Sequence, residues 1–472
     1  MKNGEVLQKA RIFLTVDVQR IYRQIKEEKM LKRLRQGIVI LLMCMAFIGL
    51  SNTVRADQNT LIRILVKKGI LTEKEAKEIL TEAQKQEKVK EEAQKKRLVK
   101  EIKKDGLAIP DVLKGFKFES LAYLDYSNGT SPSPHGDSKK YNRFSLTRGY
   151  LTVKKEILPW LHSRITLDIH RDSDGDYRER IKYLYGELRP PRLGFLTDMK
   201  LEVGQGHIPW LDFEEHVNPY RCQGTMAMER AGIFNSADVG ISLRGYLGGK
   251  LKNAKEKTGN HHYAGRYGSW HFGVYNGGGY HADENNKNKV MEGRLSIRPL
   301  PTVIPCLQLS YLGIYGEGNR RHDNAGYPDY WVNAGMISYE NPSYIFTAQY
   351  IRTKGNAKGS WVDAAGHALQ TEGYSFFGDY RLPVVIFSAR RLHLFARYDH
   401  FDQDRDNDIG NDADYNMVMG GIAYDIYKGN KILLVVENTD YGDDAGKKGK
   451  VPVANNNLGD DFRIQAVLQL KY

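Results

Sequence analysis

The side chains able to do chemistry fall into three groups. Histidines stand at His261-His262, at His393 and at Asp399-His400, residue types that a hydrolase at a barrel rim would use as a general base. No nucleophile elbow, His-Glu-x-x-His helix or phosphate-cradling loop accompanies them, so no enzyme is expected. The cysteines, Cys44, Cys222 and Cys306, have no metal-ligand spacing, and neither a metal nor a cofactor is expected. Whether Cys222 and Cys306 pair is left open. The third group is fixed charge: Arg148, Arg244, Arg294, Arg298 and Arg397 on alternating segments, and Glu214, Glu215, His216, Arg221, Glu229 and Arg230 in the connection 209–237. Charges facing a hydrated passage select ions through their field, without covalent chemistry.

The elements that would position those charges are strands. The chain ends with Phe462, Ile464, Ala466, Leu468, Leu470 and Tyr472 alternating with polar residues, broken only by Val467. Period-two alternation puts the two sets on opposite faces. A terminal strand of this length, closed by an aromatic, suits the last strand of a transmembrane barrel and its insertion into the membrane.

About sixteen such segments can be placed from residue 116 onward, among them 370–381, 388–400 and 414–427. Ile165, Leu167 and Ile169 alternate with Arg164, Thr166, Asp168 and His170; Leu295 and Ile297 alternate with Arg294, Ser296 and Arg298. An Arg or Lys on the lipid face costs about 2–4 kcal/mol near the midplane, so these charges must point into a lumen. The segments 116–128 and 329–340 show no clear parity.

Connection lengths strengthen the reading. Long polar stretches at 129–140, 209–237, 278–288, 316–328, 355–369, 401–413 and 443–459 alternate with tight turns such as Asn341-Pro342 and Lys428-Gly429-Asn430. A barrel with long extracellular loops and short periplasmic turns requires this; a soluble sandwich does not. Two connections break the rule: 173–176 is short where length is expected, and 250–267 is long where a turn is expected. The 209–237 loop is either a solvated external loop or an inward fold that narrows the lumen, and the inward fold is the reading taken here.

The N-terminal part reads differently. Gly37 to Leu50 is a short apolar run after Lys32, Arg33 and Arg35 and before Val54-Arg55-Ala56. This predicts a signal peptide over 1–56 cut after Ala56, with Met30 an alternative start. Met43 before Cys44 gives no lipid-attachment pattern. Residues 57–114 predict a periplasmic helical segment, solvated or weakly coiled, with a capping box at Thr72 and Glu75. The net charge is +13, but residues 115–472 carry only about +2 of it. The basic excess therefore belongs to the N-terminal part, and nucleic acid is not expected as a partner.

Several short stretches resemble the phosphate-selective porin O and P family. They are Arg148-Gly149-Tyr150-Leu151-Thr152-Val153-Lys154, Val203-Gly204-Gln205-Gly206-His207-Ile208-Pro209-Trp210, Met228-Glu229-Arg230 with Asp238-Val239-Gly240, and Val274-Tyr275-Asn276-Gly277. Arg294 with Pro299, and Leu65 to Thr72 in the helical segment, add to the likeness. The resemblance implies a sixteen-stranded outer-membrane barrel, often trimeric, with an inward-folded third loop.

The combined expectation is an all-β chain, a transmembrane antiparallel β-barrel over 115–472 preceded by an α-helical segment, in the bacterial outer membrane. Its function would be passive diffusion of small hydrophilic solutes, with an anion or phosphate preference. The expected partners are those solutes, outer-membrane lipid, the barrel-assembly machinery through the C-terminal strand, and two further copies in a homotrimer. A plugged structural or adhesive barrel is the alternative.

Overall fold

The computed structural model describes residues 114–172, 174–386 and 389–472. The leader, its cleavage site and the helical segment up to residue 113 lie outside the described residues. The chain builds β1 (Phe116–Pro132), β2 (Ser138–Leu158), β3 (Leu161–Arg171), β4 (Tyr177–Leu188), β5 (Leu196–His207) and β6 (Ala237–Leu247). It continues with β7 (Gly268–Tyr275), β8 (Val290–Ile297), β9 (Leu307–Glu317), β10 (Asp329–Glu340), β11 (Tyr344–Lys354) and β12 (Gln370–Arg381). A two-stranded hairpin, β13 (Val385–Ile386) with β14 (Ala389–Arg390), precedes β15 (Leu392–Asp402), β16 (Asp414–Tyr427), β17 (Asn430–Tyr441) and β18 (Asp461–Lys471).

Apart from that hairpin, every strand pairs antiparallel with its sequence neighbours, and β18 closes on β1 to give a sixteen-stranded barrel. Closure pairs Leu124 with Leu468 and Tyr126 with Ala466 on one face, and Asp125 with Val467 and Ser127 with Gln465 on the other. Among the described residues the barrel sheet itself has no open edge, which is the condition for a sheet to sit in lipid.

The two faces differ as a membrane barrel demands. Leu184, Ile241, Phe272, Leu295, Ile337, Phe376, Leu394 and Val418 are exposed large hydrophobics on the outside. Aromatic pairs stand near both rims, Tyr315 on Trp331 at 5.5 Å toward the long-loop end and Tyr339 on Tyr344 at 5.7 Å toward the short-turn end. An apolar band flanked by aromatics, around a charged interior, is an outer-membrane barrel.

The tight turns obey local chemistry. Lys428 (φ 49°) and Gly429 (φ 88°) both take the left-handed region between β16 and β17, as a two-residue hairpin loop requires. At the short connection after β3, Asp172 Oδ1 accepts the backbone N–H of Asp174, Gly175 and Asp176 and closes the turn without a long loop.

Two expectations need correction and one ambiguity is resolved. The long connection over 129–140 is mostly strand, because β1 and β2 run on past the membrane and turn only at 133–137. There His135 and Gly136 donate backbone N–H groups to Asn456 and Asn457 of the last loop. The strand placed at 388–400 begins at Leu392, since the small β13–β14 hairpin precedes it. Finally, 329–340 lacks visible parity because both its faces are apolar. Tyr330, Val332, Ala334 and Met336 point inward and are buried, while Trp331 and Ile337 point outward and are exposed.

Candidate permeation pathway

What covers the inner face of β10 is the third long loop, residues 208–236, termed L3. It carries α1 (Leu211–Val217) and α2 (Ala227–Ala231), the latter ending at Gly232 with φ 88°, a left-handed C-cap. Trp210, Leu211, Phe213, Met226, Met228 and Ile233 on it are at most 2% exposed. They share one apolar cluster with Tyr330, Val332, Met336, Phe377, Phe395, Tyr415 and Met417 of the wall. A loop this apolar has no reason to stay in water, and burial against the inner wall is what draws it into the lumen.

Polar anchors fix its path. Arg294 donates from Nε to the Pro209 carbonyl at 2.9 Å and lies 4.3 Å over the Phe213 ring. Glu214 accepts from Trp210 Nε1 at 2.9 Å and from Gln349 Nε2 on β11. Burial pushes the Glu214 carboxyl up to about 7 against those two hydrogen bonds. Tyr220 donates its hydroxyl to Asp379 at 2.6 Å and stacks on Phe395 at 4.2 Å. Arg397 donates to the Thr225 carbonyl at 2.9 Å while paired with Asp399. Glu437 then collects Arg230 at 2.8 Å, Arg463 at 2.8 Å and Gln223 at 2.7 Å.

These anchors run round the wall from β8 to β18, so L3 is tied down on that side, while Tyr280 of the next long loop lies on the β3–β4 wall and donates to Asp168 at 3.1 Å. Exposure of inward side chains is mixed on both sides: Asp168 is fully buried and Lys182 5% exposed, while Arg463 on β18 keeps 23%. Arg148, Arg180, Lys200 and Lys154 on β2–β5 keep 22%, 28%, 38% and 38% of their side-chain surface. Arg397 and Asp379 on the covered side keep 4%.

Where L3 faces the β1–β5 wall, both banks are charged. On L3, Arg221 donates to Glu215 at 2.8 Å and to Glu229 at 3.1 Å, a bridge of net charge −1. Burial alone would depress the Arg221 guanidinium, but Glu229 and Glu215 outweigh it and keep it charged. On the wall, Asp168 is shared by Arg148 at 2.9 Å and Arg180 at 3.0 Å. Lys182 donates to the Tyr150 hydroxyl at 3.0 Å, and Arg164 lies 4.4 Å over the Tyr183 ring. Among the described residues, no carboxylate lies within ion-pair distance of Lys182 or Arg164. The wall is therefore the cationic bank.

At the root of L3 a denser network joins the banks. Arg244 on β6 pairs with Glu202 at 2.6 Å and with Asp212 at 3.5 Å, and His207 leans on Glu202 at 2.9 Å. Burial would raise the Asp212 carboxyl, but His216, His207, Arg244 and the Tyr263 hydroxyl hold it well below the usual range.

The residues singled out in the sequence separate accordingly. Arg148 stands on the β1–β5 wall and Arg244 at the root of L3. Arg294, Arg298 and Arg397 point inward, as parity requires, but are buried under L3 or, for Arg298, against the Gly265 carbonyl. They anchor loops rather than line water. On the loop, Glu214 and Arg230 hold the wall, while Glu215, Arg221 and Glu229 form the bridge facing the β1–β5 side; His216 closes the end of α1. On β18, Arg463 and Gln465 make inward hydrogen bonds, and Val467 is buried in the apolar cluster with L3. Cys222 and Cys306 are free and buried. His393 is held between Asp379 at 3.0 Å and Asp425 at 3.3 Å, and His400 lies on the outer face beside Asn416.

Arg180 and Lys182 were not selected from the sequence, and Arg164 was read there as lumenal without being singled out as a site residue. Lys182 had no usable signal, because the β3–β4 register slips between Thr166 and Leu167 and leaves Lys182 as the extra residue of a bulge. The bulge turns Lys182 inward beside Tyr183, a reorientation that alternation along the chain does not report.

No protein-family model and no curated protein matches the chain. Solved structures do. Salmonella typhi OmpF gives a TM-score of 0.50 at 11% identity, covering 76% of this chain and 97% of that one. Pseudomonas putida OprB gives 0.49 at 8% identity over 78% and 97%. An anion-selective porin from Comamonas acidovorans gives 0.46 at 10% identity over 76% and 98%. At these identities the likeness is one of fold.

Proposed function

We propose that this barrel is a passive outer-membrane channel for small hydrophilic solutes, with a preference for anions. The observation that carries the reading is the one-sided course of L3. It is anchored along the β8–β18 wall, while Arg148, Lys154, Arg180 and Lys200 on β2–β5 keep 22–38% of their side-chain surface. Solutes pass through the gap between L3 and the β1–β5 wall down their gradient, and no covalent step is involved.

The preference follows from the charges on the two banks. Arg148, Arg180 and Asp168 sum to one positive charge, Arg164 and Lys182 add two, and the Glu215–Arg221–Glu229 bridge and the Glu202–Arg244–Asp212 network at the root of L3 each subtract one, leaving a net positive charge. An anion near the wall is stabilised and a cation repelled, so partition into the narrow zone favours anions. Phosphate is the member of that class implied by the sequence resemblance, and a homotrimer is the assembly it implies.

Liposome swelling with the purified, refolded barrel tests the reading. Uncharged sugars should enter, and small anions should enter faster than cations of equal size. Phosphate that blocks chloride flux at low concentration supports the phosphate preference. Liposomes that stay osmotically tight with folded barrel present would favour a plugged, structural role.

A further inference from the structure

The β6–β7 connection, residues 248–267, is on the short-turn, periplasmic side, yet it is no turn. It contains α3 (Ala254–Thr258) and folds under L3. Its course is pinned at five places. Lys250 pairs with Asp198 at 2.8 Å, and the Lys257 carbonyl meets Cys306 Sγ at 3.4 Å. Asn260 donates to the His216 carbonyl at 2.8 Å and to Glu340 at 2.9 Å. The Tyr263 hydroxyl donates to Asp212, and Gly259 rests on the Asn341-Pro342 turn.

The segment thus runs beneath the lumen from β6 to the β10–β11 turn and ties itself to α1 of L3. Its tip is a stack of imidazoles. His262 lies 3.9 Å from the His216 ring and 4.1 Å from the His261 ring. His261 and His262 are exposed, and Lys471 on β18, on the far side of the gap, contributes to the field on both. Above the tip is a cavity of about 310 Å³ lined by Asp198, Lys200, Asp212, Arg244, His262 and Trp270.

We infer that this strap is a second constriction in series with L3, and that His261 and His262 at its tip line the periplasmic outlet. The inference rests on the channel reading above. A solute that clears the L3 gap must leave past the edge of the strap, between its tip and the β18–β1 wall. The partial enclosure of His262, with the His216 and His261 rings beside it, holds its imidazole down at about 3. The His262 ring is therefore neutral near neutral pH, and the fixed charges above it govern charge preference. A charge placed at the tip acts on every ion that leaves.

Single-channel recording in a planar bilayer separates this inference from the channel reading. Absence of current in the unaltered, folded barrel sinks the channel reading and the strap with it. Given that current, three variants test the strap alone. Replacing 250–266 by a two-residue turn removes one of two comparable resistances in series, so conductance should rise by up to about two-fold. If that variant fails to fold, His261→Asp with His262→Asp should shift the reversal potential toward cations at unchanged loop length. His261→Cys should react with a sulfonate-bearing thiol reagent added on the periplasmic side, and the current should fall. Unchanged reversal potential in the double variant, with unaltered current after labelling, overturns the inference while leaving the channel in place.

Discussion

Lys182, which is buried, and Arg164, which is partly buried, are cations of the β3–β4 wall with no carboxylate within ion-pair distance among the described residues, so their removal reads the field that this wall projects into the lumen. Glutamine at both positions keeps a donor for the Tyr150 hydroxyl and for Thr166, with little change of shape. An ion passing about 6 Å from one of these charges gains or loses roughly 0.7 kcal/mol in bulk-like water, and about 0.4 kcal/mol once ~0.1 M salt screens it. An anion loses that stabilisation while a cation is relieved of the same repulsion. The anion-to-cation permeability ratio should therefore fall about four-fold per substitution, and by about an order of magnitude for Lys182→Gln with Arg164→Gln. The reversal potential under a potassium chloride gradient measures it. Arg294→Gln is the contrasting control. Its guanidinium is covered by Pro209 and Phe213, so the reversal potential should stay put while stability drops by about 1–3 kcal/mol. If the double variant conducts normally with an unshifted reversal potential, the assignment of the gap to the β1–β5 side is refuted.

Other consequences can be checked by equilibrium unfolding in detergent or lipid. Tyr220→Phe removes the hydroxyl donated to buried Asp379 and should cost about 1–3 kcal/mol, with L3 becoming more protease-sensitive. Burial holds Glu214 at about 7, above its unfolded value of 4.5, so the native state keeps a proton through that window that the unfolded chain releases. Stability should fall as pH rises from about 4.5 to 7, and Glu214→Gln should abolish that slope and be the more stable form at pH 8, by on the order of 3 kcal/mol. A parallel pH profile for the two proteins would contradict this. Val418→Arg, on the outer face, should destabilise by about 2–4 kcal/mol, and a neutral effect would place that face away from lipid.

The barrel was largely legible in the sequence because two independent signals agreed, alternation within segments and alternation of connection length. Segments such as 414–427 and 370–381 coincide with strands for that reason. Legibility failed where an inner face is apolar. Tyr330, Val332 and Met336 look like lipid-facing residues until L3 is seen to cover them, and β10 then has two apolar faces. It failed again at Lys182, where a bulge breaks the period. Arginines were read as lumenal from parity alone, which is right for direction and silent on cover: Arg294 and Arg397 point inward into protein, Arg148 into the gap. The apolar content of 208–236 was the signal that separates them, since Trp210, Phe213, Met226 and Met228 need a wall to lie on. The length of 250–267 was visible, but its course under L3 depends on hydrogen bonds from Asn260 and Tyr263 that no spacing announces.

The central claim is that the gap between L3 and the β1–β5 wall is an open, anion-preferring path. Single-channel current through the purified barrel in a salt gradient tests it most directly. Steady open steps with a reversal potential on the anion side are the result expected. A barrel that is demonstrably folded and inserted yet passes no current, or one that reverses on the cation side, contradicts it.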